Sequence, residues 1–173
     1  MRVRGFGYAP LSSRMAGFRT PRPVGHGSIH VMSGTGQMTP DERELFLTDV
    51  HVGVLAVDEP GRGPLALPIW YLFRDGALVI EMDGTSRKAE LLRAAGRATV
   101  TVQSEIPPYK YVSVEGPVVL TTPEHDELEM ATRYLGADLG AWYVEHEPRG
   151  ESSVAVVLTP EHWRTYDFAK VIG

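Results

Sequence analysis

Three short apolar segments, separated by tight turns, constrain the fold of this chain more than any other feature of its sequence. They span residues 51–57, 65–73 and 77–82. Asp, Glu, Pro and Gly residues separate the first two, and Arg74-Asp75-Gly76 separates the last two. Short turns of this composition join antiparallel strands, whereas a parallel pair needs a crossover of a dozen or more residues. The sequence therefore predicts an antiparallel meander.

Three more strands are predicted further along the chain. Residues 97–103 and 109–120 alternate between polar and apolar side chains, and residues 153–158 form a last apolar run. Helices are predicted after Thr39, from Ser86 to Gly96, over 124–135 and near 139–146, where capping residues or helical spacing occur. Six strands without a repeating strand–helix–strand order indicate a mainly β antiparallel barrel with peripheral helices.

The first 37 residues differ in composition from the rest of the chain. Residues 1–40 contain five arginines and no acidic residue, so the remainder holds 12 basic and 22 acidic side chains, a formal charge of −10. Residues 1–37 show no helical or strand periodicity, and we expect a disordered or extraneous extension, with Met32 or Met38 as the natural start. We expect one domain over 38–173. Its acidity argues against nucleic acid as a partner.

Composition and motifs exclude several other classes of protein. The chain has no cysteine, which excludes disulfides and thiolate chemistry and is compatible with the cytoplasmic location that we expect. No apolar run approaches the roughly 18 residues of a membrane span, so no membrane role is predicted. Nucleotide-binding, zinc-protease and serine-hydrolase motifs are missing. The histidines that stand beside acids, His125, His146 and His162, lack metal-ligand spacing and are expected to be solvent-exposed, so no metal is predicted.

The segment Thr85-Ser86-Arg87-Lys88 is the strongest candidate for a binding site. Hydroxyl residues at a helix start, with free backbone N–H groups behind them, favour an anion. Lys88 lies three and four residues before Leu91 and Leu92, which places it on the apolar side of the helix. A phosphate could bind it there. Alternatively, the lysine stem lines the core edge while its amine extends to water.

Two strands carry further candidate residues. Pro68 indicates the edge of a sheet or a place where another group comes close to the backbone. Trp70, on the same face of the strand, is suited to contact a flat ring system; the alternative is that it packs in the core. In the strand from Tyr109 to Glu115, the odd positions present Tyr, Tyr, Ser and Glu on one face, opposite valines. That polar and aromatic face fits a ligand or a subunit interface.

Taken together, these segments resemble the pyridoxamine 5′-phosphate oxidase-like family, which includes flavin- and deazaflavin-dependent reductases. The resemblance extends from about Thr39 to Phe168 and includes Thr39-Pro40-Asp41-Glu42, Leu67 to Tyr71, Thr85 to Ala89 and Tyr111 to Gly116. It implies a homodimeric six-stranded split β-barrel with cofactors at the subunit interface. It further implies that Ser86, Arg87 and Lys88, helped by Thr85, hold the cofactor phosphate. The other cofactor-binding residues that it implies are Leu67, Pro68, Ile69 and Trp70 along the ring system, Met82 and Asp83 along the cofactor side chain, and Tyr111 from the partner near Trp163.

The resemblance also implies a function, with limits. We expect an oxidoreductase that moves a hydride between FMN or the deazaflavin coenzyme F-420 and a small organic substrate. The alternative is a non-catalytic flavin- or haem-binding protein on the same scaffold. The basic residues that the family's namesake enzymes place before the phosphate loop, and their C-terminal Arg-x-His pattern, are missing here. Pyridoxamine phosphate oxidation is therefore not expected, and the catalytic residues stay unassigned.

Overall fold

The computed structural model describes residues 36–172, and within them lie eight strands and five helices. The strands are β1 (Gly53–Val57), β2 (Leu65–Ile69), β3 (Leu72–Arg74), β4 (Ala77–Asp83), β5 (Arg97–Gln103), β6 (Lys110–Thr121), β7 (Ser153–Leu158) and β8 (His162–Asp167). The helices are α1 (Pro40–Thr48), α2 (Arg87–Ala95), α3 (Glu127–Leu135), α4 (Ala137–His146) and α5 (Ala169–Ile172). Among these residues no helix is both long and apolar enough to span a membrane.

All strand pairs are antiparallel, and β6 joins two parts of one curled sheet. Its first half pairs with β5 and β8, and β5 continues through β1 to β2. Its second half pairs with β7, which continues through β4 to β3. Gly116 lies where β6 passes from one part to the other, and a Cβ there would lie 1.9 Å from the carbonyl oxygen of Thr159. Only glycine fits this close approach.

The predicted fold class, an antiparallel split barrel with peripheral helices, is confirmed, and two details differ. The predicted strand 65–73 is two strands, because Tyr71 and Leu72 are both buried and break the alternation that Leu67 and Ile69 begin. The chain therefore leaves one part of the sheet at Trp70 and enters the other. The segment after Pro160, for which no strand was predicted, forms β8 on the edge of β6.

The core fills the inside of the curled sheet. Alternate residues of β1, β4, β5 and β6 face inward and are fully buried, among them Leu55, Ile80, Val100 and Val114. Helix α2 packs against β1, β5 and β6 through Leu91 and Leu92. The position of α2 is therefore fixed by the core, and its N-terminal turn is held at the end of β4.

Helices α3 and α4 form a tight hairpin that packs outside the sheet. Gly140 allows the close contact between them, because a Cβ there would lie 2.8 Å from the backbone nitrogen of Thr132. The hairpin is tied to the rest of the domain by Arg133, whose guanidinium donates to the carbonyl oxygens of Leu47, Thr48 and Asp49 at the end of α1.

The proposed extension over 1–37 lies almost wholly outside the described residues, and the boundary stays a prediction.

Candidate functional site

The sequence-predicted lysine lies in a cavity of about 340 Å³ at the outer side of β2, here called the Lys88 cavity. Its walls come from the end of β2, from β4, from the first turn of α2 and from α4. The lining residues are Val52, Pro68, Ile69, Trp70, Glu81, Lys88 and Tyr143. The cavity therefore combines one lysine with a mostly apolar and aromatic wall.

Lys88 reaches this cavity because of its place on α2. It is half-buried, and Leu91 and Leu92, on the same side of the helix, are buried in the core. The backbone N–H groups of Arg87 and Lys88 belong to the first helical turn, which has no intrahelical acceptors. A cation and free N–H groups at a helix start fit an anion such as a phosphate.

The two hydroxyl residues before α2 already have local hydrogen-bond partners. Ser86 is the N-cap: its hydroxyl accepts from the backbone N–H of Ala89 and donates to the carbonyl oxygen of Asp83 at 2.5 Å. The hydroxyl of Thr85 donates to the carboxylate of Asp83, 2.9 Å away. Each hydroxyl has a single proton to donate, and both protons are used within the loop. Their predicted role as phosphate ligands stays a prediction.

Arg87 points away from the Lys88 cavity in the single chain. Its guanidinium lies 3.3 Å from Glu90 and 3.3 Å from Glu59. These two carboxylates, Glu90 first, raise the pKa of the guanidinium above its ordinary value. Because the side chain is exposed, both ion pairs are weak and could exchange for a ligand phosphate. Its predicted contact with the cofactor stays a prediction.

Trp70 forms the flat wall of the cavity and is held in place by the helical hairpin. Its ring stacks on Tyr134 with centroids 5.0 Å apart and planes 3° apart. The hydroxyl of Tyr134 in turn accepts from the backbone N–H of Tyr71 and lies 3.0 Å from the carbonyl oxygens of His51 and Tyr71. These bonds satisfy the backbone at the break between β2 and β3 and fix the orientation of Trp70.

The other predicted β2 residues divide between the two faces of the strand. Pro68 is exposed, pairs with Val54 of β1 and lines the cavity. Ile69 is buried and lines it as well. Leu67 packs against the hydrophobic core, so only its backbone faces the ligand side. A flat ring system in the cavity would therefore lie against the backbone of β2 and against Pro68.

Met82 and Asp83 lie in a second cavity, which also has Trp70 in its lining. This cavity, about 330 Å³ in volume and here called the hairpin cavity, lies between the α3–α4 hairpin and β4. Hydrogen bonds from Thr85, and then one from Ser152, lower the pKa of the Asp83 carboxyl. Asp83 is therefore an anion next to the start of α2, which is unfavourable for a phosphate placed close to it.

The remaining predicted residues, Tyr111 and Trp163, lie in another part of the domain. Tyr111 is on the outer side of β6 beside Tyr166 of β8, with ring centroids 6.5 Å apart. Trp163 pairs with Val114 and is turned to the opposite side of β8, where the Arg43 guanidinium lies 3.9 Å from its ring centroid. Strands β1 and β5 separate β2 from β6, a distance of about 14 Å along the sheet.

The outer side of these strands forms a continuous surface, here called the open sheet face. A row of directly paired residues crosses it: Pro68, Val54, Thr101, Ser113 and Arg164. Val54 is 44% exposed there, although its strand β1 lies between β2 and β5, and Val52, directly before β1, is 51% exposed. Apolar side chains exposed in this way are typical of a surface that another protein covers.

Sequence reasoning missed two residues of the site and misplaced a third residue that lies beside it. Glu81 and Tyr143 line both cavities, and His125, which was expected to be exposed, is buried. That prediction was wrong because the His125 ring lies 2.9 Å from the Glu81 carboxylate, under Arg149. The alternation of β4 around the inward Ile80 and Met82 could have placed Glu81 on the ligand side. No local signal identified the other two.

Comparisons with known proteins agree with this fold. The family model for pyridoxamine 5′-phosphate oxidase matches residues 39–167. A search of curated proteins finds no match.

Solved structures share the fold at low sequence identity. A conserved hypothetical protein from Mycobacterium tuberculosis, Rv2991, is 23% identical with a TM-score of 0.64, covering 78% of this chain and 88% of that one. An F420 reductase is 22% identical with a TM-score of 0.60, covering 73% and 98%. A FAD-binding protein from Mesorhizobium loti is 23% identical with a TM-score of 0.55, covering 74% and 94%. These similarities establish the fold alone.

Proposed function

The chain belongs to the pyridoxamine 5′-phosphate oxidase family, and we propose on this basis that it is a flavin- or deazaflavin-dependent oxidoreductase. The cofactor is FMN or the deazaflavin coenzyme F-420, and the substrate is a small organic molecule. The observation that carries this proposal is the Lys88 cavity, where one lysine and the start of α2 adjoin a flat wall of Pro68 and Trp70. A phosphorylated planar ring is the ligand class that such a cavity fits.

Within this proposal, each part of the cavity has a separate task. Lys88 and the first N–H groups of α2 neutralise the phosphate and fix one end of the cofactor. Trp70, held against Tyr134, and Pro68 orient the ring. When bound, the cofactor supplies the hydride chemistry, while the protein binds, orients and excludes water.

We further propose that the site is completed by a second copy of the chain. The Lys88 cavity is open on the side of the open sheet face. Val52 lines the cavity, and Val54 lies on the open sheet face. Pairing two open sheet faces would cover both valines and bring the partner subunit's Tyr111 towards the cofactor. Trp163 would lie near that tyrosine, on strand β8. The cytoplasm is the proposed location.

The test begins with the absorption spectrum of the purified full-length protein. Flavin bands would identify FMN, and a colourless protein should be titrated with FMN and with F-420, following the quenching of cofactor fluorescence. We expect saturable binding of one of the two, with one cofactor per chain. A Soret band in the purified protein, or no saturable binding of either compound, would contradict the proposed cofactor class.

Catalysis needs a separate measurement, because binding alone fits a storage protein. The cofactor is reduced on the protein, and its reoxidation by a small quinone such as menadione is followed by stopped-flow absorbance without oxygen. We expect the bound cofactor to react faster than the free one. A rate equal to or below that of the free cofactor would favour the non-catalytic alternative.

A further inference from the structure

A third cavity, about 410 Å³ in volume, lies beside strand β8 and is here called the arginine cavity. Its walls come from the segment before α1, from α1 itself, from β6 and from β8. The lining residues include Gln37, Arg43, Tyr111, Trp163, Arg164 and Thr165. Two of them are arginines, and none of the described residues that line the cavity is acidic. No lining residue is shared with the Lys88 cavity, so the two cavities are separate.

The segment before α1 is fixed against β8 by hydrogen bonds, and this contact shapes one side of the arginine cavity. The backbone N–H of Asp167 donates to the carbonyl oxygen of Gly36 at 2.7 Å. The backbone N–H of Met38 donates to the hydroxyl of Thr165 at 3.0 Å. Because these bonds join the two ends of the described chain, the cavity is formed within one subunit.

Arg43 is placed at this cavity by an aromatic ring and not by an ion pair. Its guanidinium lies 3.9 Å from the ring centroid of Trp163. Its Nε atom is buried and has no hydrogen-bond partner within residues 36–172. Part of this cation is therefore removed from water without a carboxylate to compensate it, which is unfavourable unless an anion comes close. The two terminal amino groups are the ones that a ligand can reach.

Arg164 brings a second positive charge to the cavity from β8. It is exposed and pairs directly with Ser113 at the end of the open sheet face. The carboxylate of Glu115, two residues further along β6, is bonded to Arg97 at 2.9 Å. That hydrogen bond is the first cause of the lowered pKa of Glu115, and Arg164 acts on it only through its charge. Arg164 therefore keeps its donors available.

Two guanidinium groups thus border one cavity that has no acid in its described lining. This is unusual for the chain, because the residues after 40 hold 12 basic and 22 acidic side chains. Like charges that face one concavity repel each other, and a bound anion removes that repulsion. A guanidinium donates two parallel hydrogen bonds to a carboxylate or a phosphate, which makes such oxyanions the matching ligand class.

We propose that the arginine cavity is a further ligand site and that it binds a small organic anion, whose carboxylate or phosphate group lies between Arg43 and Arg164. Its volume of about 410 Å³ admits a molecule of this kind. Trp163 positions Arg43, and Tyr111 is not needed to hold the anion. This site goes beyond the proposed function, because binding of the anion depends on neither a flavin nor a second subunit.

The first test compares four probes of similar size on the unmodified, full-length protein without added cofactor. Phenyl phosphate and benzoate are anions, benzyl alcohol is neutral and benzylamine is a cation. Calorimetric titrations at low ionic strength should show saturable binding of at least one anion, with the neutral and cationic probes weaker by at least about tenfold. The tighter of the two anions identifies the preferred head group. Equal binding of all four probes, or no saturable binding of either anion, would overturn the proposal.

Variants then locate the bound anion. Arg43→Gln and Arg164→Gln should each weaken its binding by about tenfold. The matched control is Arg62→Gln, which removes the same charge from an exposed turn outside the lining and should leave the affinity unchanged. Lys88→Ala should also leave it unchanged, because Lys88 lies in the other cavity.

The opposite pattern would contradict the site. A loss in Lys88→Ala with unchanged affinity in both arginine variants would place the anion in the Lys88 cavity. A loss confined to Arg43→Gln, whose guanidinium also stacks on Trp163, would be structural and would count against the site as well. Since no cofactor is present in these titrations, their result is independent of the proposed oxidoreductase function.

Discussion

The Lys88 cavity and the open sheet face were predicted from the sequence as parts of one site, yet they are built in different ways. The Lys88 cavity has walls from β2, β4, α2 and α4, and its main wall, Trp70, is fixed by stacking on Tyr134. The open sheet face is a broad surface on which Val52 and Val54 remain exposed and Tyr111 stands beside Tyr166. The Lys88 cavity is thus built within one chain, whereas the open sheet face leaves apolar side chains exposed.

This difference explains how short motifs far apart in the chain can serve one cofactor. All the walls of the Lys88 cavity come from one chain, so its residues meet without a second subunit. Tyr111 is about 14 Å away along the sheet, with β1 and β5 between it and β2. The resemblance places its contact with the cofactor on a second chain, and the predictions below test that placement.

The largest effect is expected from Val54→Asp on the open sheet face. An unpaired carboxylate buried between two subunits costs several kcal/mol, so the dimer should dissociate at micromolar concentration. Size-exclusion chromatography with light scattering measures this. The matched control is Val119→Asp on β6, which is 60% exposed and lies outside the open sheet face. If Val54→Asp stays dimeric, or the unmodified protein is a monomer, this face is not the interface.

A smaller but distinct effect is expected from Lys88→Ala. Losing one charge-assisted contact with a phosphate should weaken cofactor binding about tenfold, or by about 1.4 kcal/mol, without changing the oligomeric state. Fluorescence titration measures the dissociation constant, and Arg62→Ala, in the exposed turn after β1, serves as the control for loss of positive charge. An unchanged constant for Lys88→Ala would remove the phosphate from the Lys88 cavity.

The smallest effect is expected from Thr85→Val. The Thr85 hydroxyl donates to Asp83, so its loss should raise the pKa of that carboxyl towards its ordinary value, measured by NMR titration. Because the folded-state pKa is lowered, Asp83 stabilises the fold above its unfolded pKa, and this contribution is lost as the pH falls through the folded pKa. The Thr85→Val variant should therefore retain less of this pH-dependent stability. Cofactor affinity should fall by less than about threefold, and a loss as large as for Lys88→Ala would make Thr85 a phosphate ligand.

Periodicity predicted most of the fold and failed where tertiary contacts decide the structure. The strands that carry an aliphatic face, such as β5 and β6, were placed within one or two residues. Strand β8 was missed, because its residues His162 to Asp167 have no aliphatic face and depend on pairing with β6. The break at Trp70 was missed as well, because the hydroxyl of Tyr134, 63 residues after Tyr71, accepts from the Tyr71 backbone N–H there.

For the candidate site, the sequence predicted residue types better than their surroundings. Lys88, Pro68 and Trp70 do line one cavity. The partners that decide their environment, Glu81, Tyr134 and Tyr143, come from β4 and from the hairpin, and no spacing rule connects these elements. Likewise, the burial of His125 follows from Arg149 and Glu81, which are distant in sequence.

The most direct test of the central claim, a cofactor site shared by two chains, combines two variants in one dimer. Lys88→Ala and Tyr111→Ala variants, each weak in cofactor binding, are co-expressed in equal amounts so that half of the dimers contain one chain of each kind. If the partner subunit's Tyr111 completes the Lys88 cavity, each mixed dimer has one intact site, and about a quarter of all sites should bind cofactor with unmodified affinity. If no site of unmodified affinity appears in the mixture, Lys88 and Tyr111 do not meet across an interface, and the shared-site account is wrong.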